Sequence, residues 1–236
     1  MRNTGYMASL DQQTEYWNST GADKSFTHPI ELSWISELGR RARILDYGCG
    51  YGRLVGELHQ HGFEDIEGVD LSPALISRAR QHLPGLRFSA IDSPPTLPLP
   101  DAGFDVILLF AVLTCIPSDT GQRELIAELH RLLRPGGLLY LSDMCLQSDE
   151  RNRARYEAFA AKYGVYGVFE TGDGAVCRHH SPDWLRNLLA GFDQIADRQV
   201  PVTTMNGNPA QITQLLAGKG PAPAVIAPLR TRSRPV

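Results

Sequence analysis

Asp46-Tyr47-Gly48-Cys49-Gly50-Tyr51-Gly52 follows directly on the apolar run Ala42-Arg43-Ile44-Leu45. The run reads as a buried strand. Residues 53–61, with Leu54, Val55 and Leu58 at helical spacing, read as the helix that follows. Glycines between a strand and a helix let the backbone turn sharply and approach a ligand closely. In an open α/β sheet, ligands bind at the carboxyl ends of the strands, where this turn falls. Three glycines at alternate positions cost chain entropy and add nothing to a core, which weighs against a purely structural turn.

Two ligand classes compete for such a turn. A dinucleotide site has the pattern G-x-G-x-x-G, with an acid about 20 residues further on. Gly48 and Gly50 fit that pattern, but position 53 is Arg. Asp70 fits the distant acid in either reading. Asp46 discriminates, because a pyrophosphate at the mouth of the turn meets a carboxylate of its own sign. A sulfonium ligand carrying an ammonium group is attracted by it.

Outward from the turn, strand and helix alternate. Residues 66–69 read as a second strand ended by Asp70, and Ser72-Pro73 starts a helix to about His82. Residues 86–91 read as a third strand ended by Asp92, with a proline-rich loop at 93–100. A strongly apolar fourth strand covers 104–110. A helix is expected over 122–133, then a turn at Arg134-Pro135-Gly136-Gly137 and a fifth strand over 138–141. The strands are continuous apolar runs, as expected of a parallel sheet covered on both faces.

Beyond them, residues 150–162 read as a charged helix, and 163–174 as a loop or a short strand with a turn. A helix starts at Ser181-Pro182-Asp183, and residues 192–202 form an extended run. The turn signal Asn206-Gly207 would join that run to residues 210–216 as an antiparallel pair at one sheet edge.

Asp46-x-Gly48-x-Gly50-x-Gly52 resembles the first motif of class I S-adenosylmethionine-dependent methyltransferases. Four further features follow in the family's order over residues 42–143. Asp70 resembles the second-strand acid, which implies a hold on both ribose hydroxyls. Asp92 with Ser93 resembles the acid after strand three that reaches the adenine. Residues 110–113, beginning at Phe110, resemble the segment lining the cofactor, and Leu133-Arg134-Pro135-Gly136-Gly137 the turn before strand five. The resemblance implies a Rossmann-like, doubly wound, seven-stranded mixed α/β sheet whose last strand is antiparallel. It implies S-adenosyl-L-methionine as cofactor and S-adenosyl-L-homocysteine as product. Cys49 in the turn and Leu71 against the adenine complete the expected contacts on that side.

A single domain is expected over residues 1–219: a helical cover at 1–41, the cofactor half at 42–143, and a small substrate-side insertion with C-terminal strands at 144–219. In the cover, Lys24 and His28 belong to the stretch Lys24-Ser25-Phe26-Thr27-His28-Pro29. This stretch resembles a segment closing over the cofactor in some small-molecule methyltransferases. The stretch is expected to contact the methionine carboxylate or the substrate, with Lys24 as a cofactor contact. A hydroxyl acceptor needs a base, for which His28, His179 and His180 are candidates. Adjacent histidines on an extended backbone point opposite ways, so at most one of His179 and His180 faces the site. Tyr16, Tyr166 and Phe169 are candidate substrate walls, and no metal site is expected.

Composition narrows the acceptor. The 236 residues carry 23 basic and 26 acidic side chains, a net charge of −3, which disfavours a nucleic-acid partner. Residues 220–236 hold Arg230, Arg232 and Arg234 with no acid, so the body is more acidic still. They read as a flexible tail. The Asn/Asp-Pro-Pro-aromatic run of adenine amino-methyltransferases is absent after strand four, where the sequence is Phe110-Ala111-Val112-Leu113. The expected reaction is methylation of an O or N nucleophile on a small molecule, of natural-product type; the alternative is a protein or RNA acceptor. Cys49, Cys115, Cys145 and Cys177 form no CxxC pair, and no apolar stretch is long enough for a membrane span. A cytoplasmic monomer or homodimer is expected.

Overall fold

The computed structural model of the protein describes residues 7–220, with side chains from residue 13 onward. The expected flexible tail thus lies, apart from Gly220, outside the described residues. In chain order the elements are α1 (Met7–Asn18), β1 (Arg43–Tyr47), α2 (Arg53–Gln60), β2 (Asp65–Asp70), α3 (Pro73–His82), β3 (Arg87–Ala90) and β4 (Phe104–Phe110). They continue with α4 (Asp119–Leu132), β5 (Leu133–Met144), α5 (Glu150–Tyr163), β6 (Val168–Glu170), β7 (Val176–Arg178), α6 (Pro182–Leu188), β8 (Asp193–Thr203) and β9 (Pro209–Gly218).

Seven strands form one sheet in the order β3-β2-β1-β4-β5-β9-β8. The first five are parallel, and β9 runs antiparallel to both β5 and β8. This is the seven-stranded mixed sheet with an antiparallel last strand that the resemblance implied. The period-2 alternation of a strand divides the core into two layers. Ile107 and Leu109 of β4 face Leu125, Leu129 and Leu132 of α4 and Leu185 of α6. Val106, Leu108 and Phe110 face Leu54 and Leu58 of α2 and Ile76 and Ala79 of α3.

Local signals set most helix starts. Ser72 accepts from Leu75 N at 3.2 Å, and Ser181 from Trp184 N at 3.1 Å, each with proline next in the chain. The expected helix at 122–133 begins earlier, at Asp119, because Ser118 accepts from Gly121 N at 2.9 Å and caps it there. The expected turn at 134–137 is a bulge within β5. Pairing with β4 jumps from Leu133 to Leu138, and Gly136 N donates to the Lys219 carbonyl at 2.8 Å. The region expected as a loop or short strand is a separate two-stranded ribbon of β6 and β7.

The cover is only partly helical. After α1 it runs in irregular and extended chain to a short 3₁₀ turn at Leu32–Trp34. It is pinned to the sheet by polar side chains: Gln214 of β9 donates to the Pro29 carbonyl at 2.6 Å, and Glu31 N donates to the Tyr140 hydroxyl at 2.9 Å.

Candidate active site

The strand order turns back between β1 and β4, and the crevice of an open sheet lies at such a point. The turn after β1 forms its floor. Gly50 has φ +55, and a Cβ built there would lie 2.0 Å from the Phe26 ring. A Cβ on Gly48, at φ +79, would lie 2.3 Å from Val112. Both positions combine left-handed backbone with no room for a side chain, which is why glycine stands there. Ala111, at the end of β4, also has positive φ (56), held by its N–H donating to the Ser142 carbonyl at 2.7 Å. It lines the crevice with Val112, so backbone strain gathers at this point.

Asp46 is buried at the end of β1, and its Oδ2 has no hydrogen-bond partner among the described residues. Burial raises its carboxyl to about 7; Arg53 opposes the rise and Asp70 adds to it. An unpaired buried carboxylate is costly unless a donor or cation arrives to meet it. Asp70 accepts from Gly50 N at 2.8 Å and Ser72 N at 2.9 Å, which anchors the glycine turn to the start of α3. Burial raises its carboxyl, and those two bonds oppose the rise. Asp46, Gly48, Cys49, Asp70, Leu71 and Phe110 all line the cavity.

Gly50 is covered by Phe26 and is not part of the lining. Asp92 and Ser93 are exposed and also outside it; Ser93 bridges to Thr96 in the loop after β3. The expected adenine contact of Asp92 and Ser93 therefore has no support in this arrangement.

The roof comes from three distant parts of the chain. Tyr16, Trp17 and Phe26 descend from the cover; Phe169, Val176 and Cys177 come from the ribbon; Met205 and Asn206 come from the β8–β9 turn. Lys24, expected at the cofactor, does not line the cavity. It ties the roof together by donating to Asp173 at 2.8 Å and to Asn206 at 2.7 Å. Tyr16 donates to the same Asp173 at 3.2 Å. The Lys24 hydrogen bond holds the Asp173 carboxyl down to about 2. Tyr166, expected as a wall, is 49 % exposed and lies outside the lining.

The three histidines separate. His28 lines the cavity and is buried. Its Nδ1 lies 3.2 Å from the Ser142 carbonyl and 3.1 Å from the Ser142 hydroxyl, so Nδ1 either donates to the carbonyl or accepts from the hydroxyl, according to the tautomer. Burial lowers its pKa to about 4, so the ring is neutral at pH 7. His179 also lines the cavity, with Nδ1 2.6 Å from the Tyr156 hydroxyl. His180 points elsewhere. It is fully buried between Gln122, at 2.9 Å, and the Met144 carbonyl, at 3.1 Å, outside the lining. The alternation of an extended backbone thus leaves one of the adjacent pair, His179, at the site. Desolvation also removes His180 as a base by lowering it to about 3.

Several lining residues were not singled out in the sequence. Arg53, noted in the sequence only for standing where the dinucleotide pattern has its third glycine, donates to the His28 carbonyl and so joins the turn to the cover. Arg151 and Arg155 reach the lining from α5. Their i,i+4 spacing was the available signal, but a charged helix face ordinarily reads as solvated. Cys115 and Cys177 line the cavity too. Burial raises both thiols, Cys177 to about 12, so neither supplies a thiolate at neutral pH.

Comparison with known proteins agrees with this geometry. A family model described as a methyltransferase domain matches residues 44–137. The ubiquinone biosynthesis O-methyltransferase of Xanthomonas oryzae pv. oryzae is 32% identical over 140 residues, covering 55% of this chain and 56% of that protein. The EEF1A lysine methyltransferase 4 of Mus musculus is 32% identical over 152 residues, covering 53% and 58%. The chain thus spans little more than half the length of these curated relatives. A crystal structure of a SAM-dependent methyltransferase from Methanosarcina mazei superposes with a TM-score of 0.75 at 24% identity, covering 82% of this chain and 99% of that one.

Proposed function

From a chain with the class I S-adenosylmethionine-dependent methyltransferase fold and a methyltransferase domain at residues 44–137, we propose methyl transfer from S-adenosylmethionine to an O or N nucleophile of a small molecule. The observation that carries the small-molecule reading is the roof. Cover, ribbon and β8–β9 turn meet over the glycine turn and are latched by Lys24, Asp173 and Asn206. A roofed, largely apolar chamber suits a compact acceptor better than a protein or RNA surface.

The residues present fit the cofactor. The orphan Oδ2 of Asp46 suits its cationic amino-acid end, with the backbone at Gly48 approaching closely. Asp70 keeps lone pairs beyond those used by Gly50 and Ser72, and these suit the ribose hydroxyls, with Leu71 beside the adenine. When bound, the cofactor supplies a methyl group activated on a sulfonium, so the protein's task is mainly alignment. The roof narrows the access of water, and the sheet ends hold the floor. His28 lines the chamber as a neutral ring with a pKa of about 4; with Nδ1 held at Ser142, its Nε2 serves the acceptor as a weak base in one tautomer and as a hydrogen-bond donor in the other.

The test is to bind S-adenosylhomocysteine by calorimetry, then incubate the protein with a metabolite extract and methyl-labelled cofactor. Label in the small-molecule fraction is expected. Label confined to protein or RNA would favour the second reading, which the murine lysine methyltransferase relative keeps in view. A reducing, cytoplasmic setting belongs to this proposal, supported by four free cysteines. No helix of the described residues is long and apolar enough to cross a membrane. A monomer or homodimer is proposed as the working state.

A further inference from the structure

The charges around the chamber are sorted by element. Asp46 and Asp70 enter the lining from the ends of β1 and β2, beside the glycine turn. Arg151 and Arg155 enter from α5, one helical turn apart. The third arginine of the lining, Arg53, already has Glu57 at 3.3 Å and the His28 carbonyl. Among the described residues neither Arg151 nor Arg155 forms a salt bridge, although Arg151, which is exposed, lies near enough to Asp149 to help lower its carboxyl. Arg155 lies over the Phe169 ring, 3.5 Å from its centroid, and its Nε is buried with no partner. A half-buried guanidinium on an aromatic face, in contact with the Tyr156 hydroxyl but with no carboxylate partner among the described residues, keeps donors and charge to spare, and burial lowers its pKa.

His179 adds to this wall as a donor. The Tyr156 hydroxyl accepts from Gln147 N at 3.1 Å and lies 2.6 Å from His179 Nδ1. A phenol has a single hydrogen, and giving it to Nδ1 leaves no buried hydroxyl hydrogen unpaired. The neutral ring then carries its own proton on Nε2. The wall formed by Arg151, Arg155 and His179 therefore offers donors and positive charge and no acceptor. Around it the lining is apolar, with Trp17, Phe169 and Val176.

We propose that this wall binds an anionic oxygen group, a carboxylate or a phosphate monoester, carried on an apolar body. The proposal names the substrate class of the site and rests on the methyltransferase reading for where the cofactor sits. His179 consequently offers an N–H that helps position the anion, while His28, also in the lining, is held to Ser142 through Nδ1.

The test uses the full chain saturated with S-adenosylhomocysteine. Calorimetry compares benzoate, 1-naphthoate and octanoate with their primary amides, and phenyl phosphate with benzoate. At least one acid is expected to bind about tenfold or more tightly than its amide, as a charge-assisted pair requires. Arg155→Gln should remove roughly that preference while S-adenosylhomocysteine affinity stays unchanged, and Arg155→Lys should keep part of it. Phenyl phosphate binding more tightly than benzoate assigns the wall to phosphate; the reverse assigns it to carboxylate. No binding by any acid, equal binding of every acid and amide, or a preference that survives Arg151→Gln/Arg155→Gln overturns the proposal. Loss of S-adenosylhomocysteine binding by the unaltered chain would instead overturn the methyltransferase reading, so the two failures are distinct.

Discussion

Asp46 concentrates the physics of the site in one carboxyl. Burial raises it from the ordinary 3.8 to about 7, so between those values the folded chain holds a proton that the unfolded chain has lost. Its contribution to stability therefore falls as pH rises through that window. Asp46→Asn should remove this slope: urea midpoints at pH 5 and pH 8 should differ less in the variant than in the parent. Cofactor binding should run the other way, because the ammonium end is attracted only by the ionised form. Affinity for S-adenosylhomocysteine is expected to rise as pH passes about 7 in the parent and to stay flat in Asp46→Asn, measured by calorimetry from pH 6 to 8. Gly50 offers a steric counterpart. Gly50→Ala puts a Cβ against Phe26 at φ +55. It should lower the melting temperature and weaken S-adenosylhomocysteine binding. Adding Phe26→Ala should relieve the clash but leave about 1–2 kcal/mol of backbone cost.

At the level of elements, the roof works because short pieces from far-apart positions are tied at few points. Lys24, Asp173 and Asn206 form one tie; Lys24 and Asp173 side chains are 22% and 26% exposed, so the pair contributes little to global stability. Lys24→Met should change unfolding free energy by less than about 1 kcal/mol. It should nevertheless speed S-adenosylhomocysteine release by roughly two- to fivefold in stopped-flow displacement, because it loosens the roof. An unchanged release rate would remove Lys24 from any role in closure. On the floor side the elements are stiffer. The cover passes over β5 and β9 through the Gln214, Ser142 and Tyr140 contacts, a buried polar set in which Gln214 bonds Pro29, Ser142 and Tyr140 together. Those bonds position His28 from the sheet itself.

On the scale of the whole molecule, the sheet and its two apolar layers stand apart from the roof. Deleting residues 1–28 removes Tyr16, Trp17 and Phe26 from the chamber but leaves the β1–β4–β5 centre and its helices intact. A cooperative far-UV melt is expected to persist, with S-adenosylhomocysteine affinity at least about tenfold lower. Loss of the cooperative melt would show that the cover is part of the core.

The strands and helices of residues 42–143 were legible in the sequence because continuous apolar runs, glycine turns and Ser-Pro caps are local signals. Asp46, Gly48 and Asp70 were legible for the same reason: each sits where a strand ends. Local pattern could not decide Asp92, whose place after β3 matched expectation while its side chain faces solvent. Nor could it sort Lys24 into a latch, Tyr166 outside the chamber, or His28 and His179 into the lining and His180 into the core. Those outcomes depend on which distant backbone group lies within about 3 Å of each side chain. The sequence by itself determined the α/β sheet and the acid–glycine turn. Tertiary structure alone decided the roof, the entry of the α5 arginines into the lining and the partners of the histidines, because hydrogen-bond partners and burial arise only when segments more than a hundred residues apart are packed together.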